Sequence, residues 1–192
     1  ACLSAFGAPV GLERHPAGLA LARERRLPGL VRGTVERLPF ADSSFELASC
    51  LDVLYHRGVA SDAAALAELH RALRPGGWLL LRLPAYEWMR RRHDAAVHTA
   101  RRYTRGRVRA LLQEAGFRVA ICSYANAFLF PAALAVAGWE RLSPPAAPRS
   151  DLELRPGVWN ALLERVLAAE AWWIVRTGLP FGLSVVALAE RR

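Results

Sequence analysis

One stretch of the chain, residues 32–84, carries strand, helix and strand signals in succession and restricts the fold more than any other. An apolar run at 45–54 is followed by an amphipathic segment from Ser61, and the stretch closes with a Pro-Gly-Gly turn at 75–77 and a second apolar run. Three such elements within about fifty residues have the length and order of a βαβ unit in a parallel sheet. The sequence therefore predicts an α/β protein.

The middle helix of this unit has a start signal and one apolar face. Ser61 is a suitable N-cap. The apolar stripe, with three- and four-residue spacing, consists of Leu66, Leu69 and Leu73. The strand that follows begins with the uniformly apolar residues 78–81, as expected of a strand that helices cover on both faces. A ligand crevice should lie beyond the carboxyl ends of the strands, at residues 50–56 and 84–88.

Four motifs in this stretch occur in a recognisable order and spacing: LPF at 38–40, DxSFEL at 42–47, DVLYH at 52–56 and LRPGG at 73–77. Together they resemble the central and later motifs of the class I S-adenosylmethionine-dependent methyltransferases, in the ubiquinone-biosynthesis-like group also known as methyltransferase type 11. The resemblance implies a Rossmann-like sheet, mostly parallel with an antiparallel last strand. It also implies S-adenosylmethionine as the cofactor and methyl transfer to an acceptor as the activity.

The N-terminal part departs from the resembled family. The chain begins at Ala1, its only methionine is Met89, and no Gly-x-Gly loop follows a strand before Glu13. In the family that loop follows the first strand and wraps the methionine part of the cofactor. We therefore expect an N-terminally incomplete sheet whose neighbouring strands close up, keep open edges or borrow a strand. We also expect the chain alone to bind S-adenosylmethionine poorly.

Glu13 is the first candidate cofactor ligand, at the end of a short strand predicted over residues 9–13. A carboxylate at that place in a nucleotide-binding unit accepts hydrogen bonds from two ribose hydroxyls. The alternative is an exposed residue that the dipole of the next helix favours. The motif context favours the ribose role.

The remaining candidate cofactor contacts follow from the resemblance. The family usually has an acidic residue that binds the adenine amine, and this chain has Thr34 there, followed by Val35 and Glu36. A threonine hydroxyl can accept the same bond more weakly, and the Val35 amide could contact the ring. Cys50, Leu51 and Asp52 are placed against the cofactor at the next strand end. For Asp52, the equally supported alternative is that its side chain caps the following turn.

The loop after Pro84 concentrates aromatic, histidine and acidic residues and should overhang the pocket. His93 and His98 are the candidate bases or acceptor-positioning groups. The candidate substrate contacts are His56, Tyr86, Trp88, Asp94 and Tyr103. A metal site is disfavoured, because three candidate ligands in one loop without a fourth more often form a hydrogen-bonded network. The arginine run at 90–92 could bind a phosphate-bearing acceptor, with a solvated face as the alternative.

The C-terminal third predicts a helical insertion. We expect a methyltransferase core over 1–124, an insertion or lid over 125–180, and a last core strand within 181–192, antiparallel at the sheet edge. Residues 119–139 contain no charged side chain, a length that could span a bilayer, but a strand to about 124 and a helix after 130 are favoured. The helix predicted over 156–176 is apolar enough to cap the pocket or to lie on a membrane and reach a lipid. Core packing is the alternative.

Charge and cysteine content set the remaining limits. The formal net charge is +9, and all 26 basic residues are arginine, which indicates either an anionic partner or a codon-biased genome. Nucleic acid is disfavoured as a partner, and peripheral membrane contact stays open. The three widely spaced cysteines, Cys2, Cys50 and Cys122, suggest neither a disulfide framework nor a zinc site. A cytoplasmic location is expected, with membrane association as its alternative.

These observations predict a methyltransferase that acts on a small-molecule or lipid-like acceptor. The first alternative is a non-catalytic Rossmann-like binding domain without the cofactor loop. The second is a nicotinamide-dependent enzyme, which would require a glycine-rich turn that the chain does not show.

Overall fold

The computed structural model describes residues 7–25, 29–142 and 160–192, with the side chains of residues 160–164 left out. The strands are β1 (Gly11–Glu13), β2 (Leu30–Arg32), β3 (Phe45–Leu51), β4 (Leu73–Pro84), β5 (Phe117–Ala125) and β6 (Ser184–Arg191). The helices are α1 (Pro16–Glu24), α2 (Asp62–Ala72), α3 (Arg92–Ala96), α4 (Arg105–Glu114), α5 (Phe130–Leu142) and α6 (Asn160–Arg176), with a 3₁₀ turn at Glu87–Met89. The predicted start of the helix over 156–176 lies outside the described residues.

The strands form two sheets. The first is the parallel pair β1–β2, and the second has the order β3-β4-β6-β5. β3 and β4 are parallel, whereas β6 is antiparallel to both β4 and β5. Three of the four strands in the second sheet therefore run in one direction. The Rossmann-like α/β fold with an antiparallel last strand is confirmed.

The predicted place of the last strand is wrong. β6 does not lie at the sheet edge but between β4 and β5, and it forms a full ladder with each. The physical reason is that Val185, Ala187 and Ala189 are buried and fit between helix-covered neighbours. β5 occupies one edge instead, and β3 the other.

The predicted βαβ unit is present. The Ser61 hydroxyl accepts a hydrogen bond from Ala64 N at 3.2 Å and caps α2. The predicted stripe is buried and forms the core with Leu79, Leu81 and Leu83 of β4. Trp78 and Leu80, on the other face of that strand, are only half-buried, so the expected cover on both faces is incomplete. β4 begins at Leu73, earlier than expected, so the glycine pair lies within the strand, beside a register shift between Phe45 and Leu47.

The long uncharged stretch is divided between β5 and α5, as expected. Within the described ranges, every helix is too short or too polar to span a bilayer.

Candidate functional site

The carboxyl ends of β3, β4 and β5 lie at one edge of the sheet, and each is followed by a residue with a left-handed backbone. These residues are Asp52 (φ 57°), Tyr86 (φ 57°) and Asn126 (φ 60°). Such a conformation in a residue other than glycine costs on the order of 1–3 kcal/mol and tends to occur at functional sites. The sequence reasoning included the first two and missed Asn126, although asparagine after a strand tolerates this conformation.

The tips of the β1–β2 pair lie beside the same edge. The Arg14 guanidinium, directly after β1, donates to Gly58 O at 2.5 Å, in the loop that follows β3. Glu36, in the turn after β2, accepts hydrogen bonds through Oε1 from Ala60 N (3.0 Å) and Ser61 N (2.8 Å) at the start of α2. The carboxyl ends of β1, β2 and β3 therefore border one another.

The predicted cofactor-binding residues differ in how many of their polar atoms already form hydrogen bonds within the protein. Glu13 accepts a hydrogen bond through Oε1 from His15 N at 2.7 Å, beside the start of α1. This oxygen therefore lies at the helix start, as expected if the dipole of α1 favours Glu13. Thr34 and Val35 form a half-buried turn closed by a bridge between Thr34 and Arg37. Glu36 already holds the first turn of α2, so its Oε1 is committed to the scaffold.

At the end of β3, the side chains of Cys50 and Asp52 face the protein. Burial, and secondarily the Asp52 charge, raises the pKa of Cys50 to about 12, so its thiol is an inert core group. The Asp52 carboxylate pairs with the Arg82 guanidinium, with Oδ2 2.9 Å from Nε. Leu51, at 44% exposure, is the side chain of this strand end that remains open to a ligand.

Residues 98–103, which we name the strap, join two loops at the strand tips. Ala100 N donates to Tyr55 O at 2.8 Å, in the loop after β3. Tyr103 N donates to Pro84 O, and Tyr86 N donates to Tyr103 O, both at 2.9 Å. The strap thereby holds the loop after β3 and the loop after β4 in a fixed relation.

Arg101 and Tyr103 anchor the strap from within. Arg101 Nη2 donates to Leu54 O at 2.9 Å and to Val59 O at 2.8 Å. The Tyr103 hydroxyl bonds to the Asp62 carboxylate, and burial followed by the Asp62 charge raises the pKa of Tyr103. The sequence reasoning placed Tyr103 against the substrate, but the structure buries it with its hydroxyl engaged. Arg101 was missed, because its role consists of contacts distant in sequence.

Asp94, another predicted substrate contact, is also buried in the scaffold. Its oxygens accept hydrogen bonds from Arg102 Nε (2.8 Å), Arg102 Nη2 (2.9 Å) and Arg91 N (2.7 Å). Burial acts to raise the pKa of Asp94, but these hydrogen bonds and the Arg102 charge outweigh it, so the pKa is lowered. Asp94 is therefore an ionised, buried group whose carboxylate is engaged within the protein.

The arginine run at 90–92 is likewise paired within the protein. Arg90 pairs with Glu87, and both Arg91 and Arg92 bond to Glu140 on α5. This arrangement docks the end of α5 onto the loop after β4. It does not favour the predicted clamp for a phosphate-bearing acceptor.

The histidines near the strap are more accessible. The exposed rings of His56 and His98 meet edge to face, with centroids 5.7 Å apart. Burial, followed by the positive charges of His98 and Arg14, lowers the pKa of His56. His93 is half-buried on α3. In the part of the chain that the structure describes, no three His, Cys, Asp or Glu side chains are grouped closely enough to hold a metal ion.

An aromatic group, named here the tip aromatics, lines the region beyond β4 and β5. It consists of Tyr86, Trp88, Tyr124, Phe130 and Phe181. Tyr86 stacks on Tyr124 at 5.0 Å and also contacts Trp88 and Phe130. Phe130 contacts Phe181 at 5.4 Å. Trp88 and Phe181 are about half exposed, so the group presents an apolar, ring-lined surface. Only Tyr86 and Trp88 were predicted.

Glu170 attaches α6 to the end of β5. Its buried carboxylate accepts hydrogen bonds from Asn126 N at 2.7 Å and Phe128 N at 2.8 Å. The described part of the insertion is thus fixed to the strand tips, next to the tip aromatics.

Comparisons with known proteins agree with this architecture. A family model described as a methyltransferase domain matches residues 2–81. A probable methyltransferase of Arabidopsis thaliana, PMT16, is 37% identical over 81 residues, which are 41% of this chain and 12% of that protein. Phthiotriol/phenolphthiotriol dimycocerosates methyltransferase 1 of Mycobacterium ulcerans is 45% identical over 73 residues, 36% of this chain and 26% of that protein. The alignments thus span between an eighth and about a quarter of the length of these relatives.

Solved structures extend the likeness to the whole chain. A SAM-dependent methyltransferase of Thermotoga maritima, described as a possible histamine N-methyltransferase, has a TM-score of 0.63 at 19% identity and covers 100% of this chain and 76% of its own. An S-adenosylmethionine-dependent methyltransferase of Mesorhizobium loti has a TM-score of 0.60 at 18% identity, covering 99% and 85%. At these identities the likeness establishes the fold.

Proposed function

We propose that this chain is a class I S-adenosylmethionine-dependent methyltransferase that transfers a methyl group from S-adenosylmethionine to a small, lipid-like acceptor. The observation that carries the proposal is the shared edge at which five strand ends meet, with left-handed residues after three of them. A crevice beyond the carboxyl ends of parallel strands is where α/β proteins of this kind bind ligands.

The residues at the tips of β1, β2 and β3 fit the cofactor. Glu13, although its Oε1 accepts from His15 N, is proposed to bind the ribose, and Thr34 and the Val35 amide are proposed to border the adenine. Leu51 offers an exposed apolar side chain. The backbones of Cys50 and Asp52 complete this wall. When bound, S-adenosylmethionine supplies an electrophilic methyl group on a sulfonium. The protein then contributes mainly the positioning of the two reactants.

The acceptor side is formed by the tip aromatics and the exposed histidines. Large rings with little polar surface suit an apolar acceptor. The Mycobacterium ulcerans relative is named for dimycocerosates, which supports a lipid-like acceptor for this chain. His98, exposed on the strap, is proposed as the base or positioning group, with His56 beside it.

Transfer of label from S-adenosylmethionine tests the proposal. The protein expressed from its complete reading frame would be incubated with methyl-tritiated S-adenosylmethionine and a lipid extract, and radioactivity in the organic phase would be counted. We expect labelling that falls about tenfold or more in Tyr86→Ala, because the stacked wall is lost. Leu21→Ala, on the exposed face of α1, is the matched control.

Absence of label in the organic phase for every lipid tested would refute the lipid-like acceptor. Absence of labelled transfer to any acceptor, lipid or otherwise, by the protein from the complete reading frame would instead indicate the non-catalytic binding domain.

A further inference from the structure

A second apolar surface lies on the described part of the insertion, outside the tip aromatics. It is a shallow, open cleft lined by Phe128, Ala169, Trp172 and Trp173. The three rings are 44–54% exposed. Exposed aromatic side chains grouped in a concave surface typically mark a binding site.

The walls of this cleft are held in place. One wall is the loop after β5, and the other is α6, and Glu170 joins them through its bonds to Asn126 N and Phe128 N. Phe128 faces Trp173 with ring centroids 5.9 Å apart, and Trp172 lies 6.3 Å from Trp173. The concavity is therefore part of the folded structure and does not depend on a bound ligand to form.

α6 has apolar side chains on two sides. A helix that packs against the protein with one face needs apolar residues on that face only. Its inner side, half-buried or buried, includes Val166, Leu167, Glu170 and Ile174, whereas Ala169, Trp172, Trp173 and Val175 are exposed. A helix that is apolar all round is normally covered on every side. The exposed charged side chains of its described part are Arg165 and Arg176, and the Arg176 guanidinium lies 4.1 Å from the centroid of the Trp172 ring.

The lining restricts the chemistry of the occupant. None of the four side chains offers a hydrogen-bond acceptor, and the two indole N–H groups are their only donors, so a ligand rich in N–H or O–H groups would bury donors without partners, at a cost in free energy. A hydrocarbon chain carries no such groups. Phe128 lies in the loop after β5, between Asn126 at the strand tip and Phe130 of the tip aromatics, so one wall of the cleft starts at the strand tips.

We propose that this cleft binds the hydrocarbon chain of the acceptor, while the end that receives the methyl group lies at the tip aromatics. The inference rests on the proposed function for the identity of the acceptor. Binding of the chain itself requires no methyl transfer, so the two can fail separately.

Quenching of tryptophan fluorescence by a brominated fatty acid, 11-bromoundecanoic acid, below its critical micelle concentration tests the cleft on the whole protein. We expect saturable quenching, since the bromine would contact Trp172 and Trp173. Ala169→Phe fills the cleft from an exposed position and should weaken the dissociation constant about tenfold, equivalent to about 1.4 kcal/mol. Trp139→Phe, which removes a 74% exposed ring on α5 outside the cleft, should leave it unchanged.

Three results would overturn the proposal: unsaturable quenching, equal affinity in Ala169→Phe, or equal weakening in Trp139→Phe. Binding only to vesicles and not to the monomeric probe would assign the surface to a membrane instead. Self-association that Ala169→Phe abolishes would assign it to a second copy of the chain. Absence of probe binding by a wild-type protein that transfers label would reject the cleft alone. Saturable probe binding by a wild-type protein that transfers no label would reject the proposed function alone.

Discussion

The hydroxyl of Tyr103 lies 3.0 Å from both carboxylate oxygens of Asp62, in the first turn of α2. Replacement of Tyr103 by Phe keeps the ring and deletes this bond inside the core. We expect the free energy of unfolding to fall by about 1–2 kcal/mol, the usual cost of leaving a buried partner without its hydrogen bond. Urea unfolding followed by circular dichroism measures it. An unchanged midpoint would show that Arg101 alone satisfies Asp62.

Removal of the Asp94 charge should be more costly. Asp94→Asn leaves the Arg102 guanidinium, 11% exposed, without its carboxylate partner. Breaking a buried ion pair by removing one member typically costs about 3–5 kcal/mol. The same urea titration checks this, with Glu114→Gln on exposed α4 as the control that should stay near the wild type. Similar losses in both variants would contradict the structural role of Asp94.

The same ion pair predicts a pH dependence. The pKa of Asp94 is lowered in the folded chain, below an unfolded value of about 3.9. Its contribution to stability is therefore complete above about pH 4 and is lost as the pH falls through the folded pKa. Unfolding free energies measured from about pH 6 to about pH 2 should fall more steeply in the wild type than in Asp94→Asn. Parallel curves would rule out this linkage.

Glu170 should control local opening where α6 meets β5. Glu170→Ala removes both acceptors for Asn126 N and Phe128 N, whereas Glu170→Gln retains one carbonyl oxygen. We expect hydrogen exchange at these two amides to speed up about tenfold or more in the Ala variant, with the Gln variant between it and the wild type. Mass spectrometry of the peptide containing residues 124–130 measures it. Glu114→Ala, on the exposed side of α4, should leave the exchange unchanged.

Cys50 should resist alkylation while the chain is folded. A pKa of about 12, against an ordinary value of 9.0, lowers the thiolate fraction near neutral pH roughly a thousandfold. Iodoacetamide labelling followed by peptide mass spectrometry should therefore modify Cys50 quickly in denaturant and scarcely at all in the native chain. Fast native labelling would show that the end of β3 opens to solvent.

Local signals were sufficient to predict the βαβ unit. The Ser61 cap and the α2 stripe depend on neighbours three or four residues apart, so the pattern of Leu66 and Leu69 is visible in the sequence. The strand tips were located correctly because parallel strands share one carboxyl edge. The position of β6 was not predictable, since the alternation of Val185, Ala187 and Ala189 fits an edge strand and an interior strand equally well.

The individual site residues were harder to assign. Asp94 and Tyr103 have the side-chain chemistry of ligand contacts, but their partners, Arg102 and Asp62, are eight and forty-one positions away. In the sequence, Glu170 is one charged residue on an amphipathic helix. Its role as a hydrogen-bond acceptor depends on backbone amides more than forty positions away. Such contacts are made only when the elements assemble, so the sequence identifies the chemical groups without their partners.

The strap has a thermodynamic consequence for any two ligands that meet at this edge. Because residues 98–103 bond to the loops after both β3 and β4, ordering of one loop lowers the entropy cost of ordering the other. Donor and acceptor should therefore bind cooperatively, and by reciprocity each should raise the affinity of the other by the same factor.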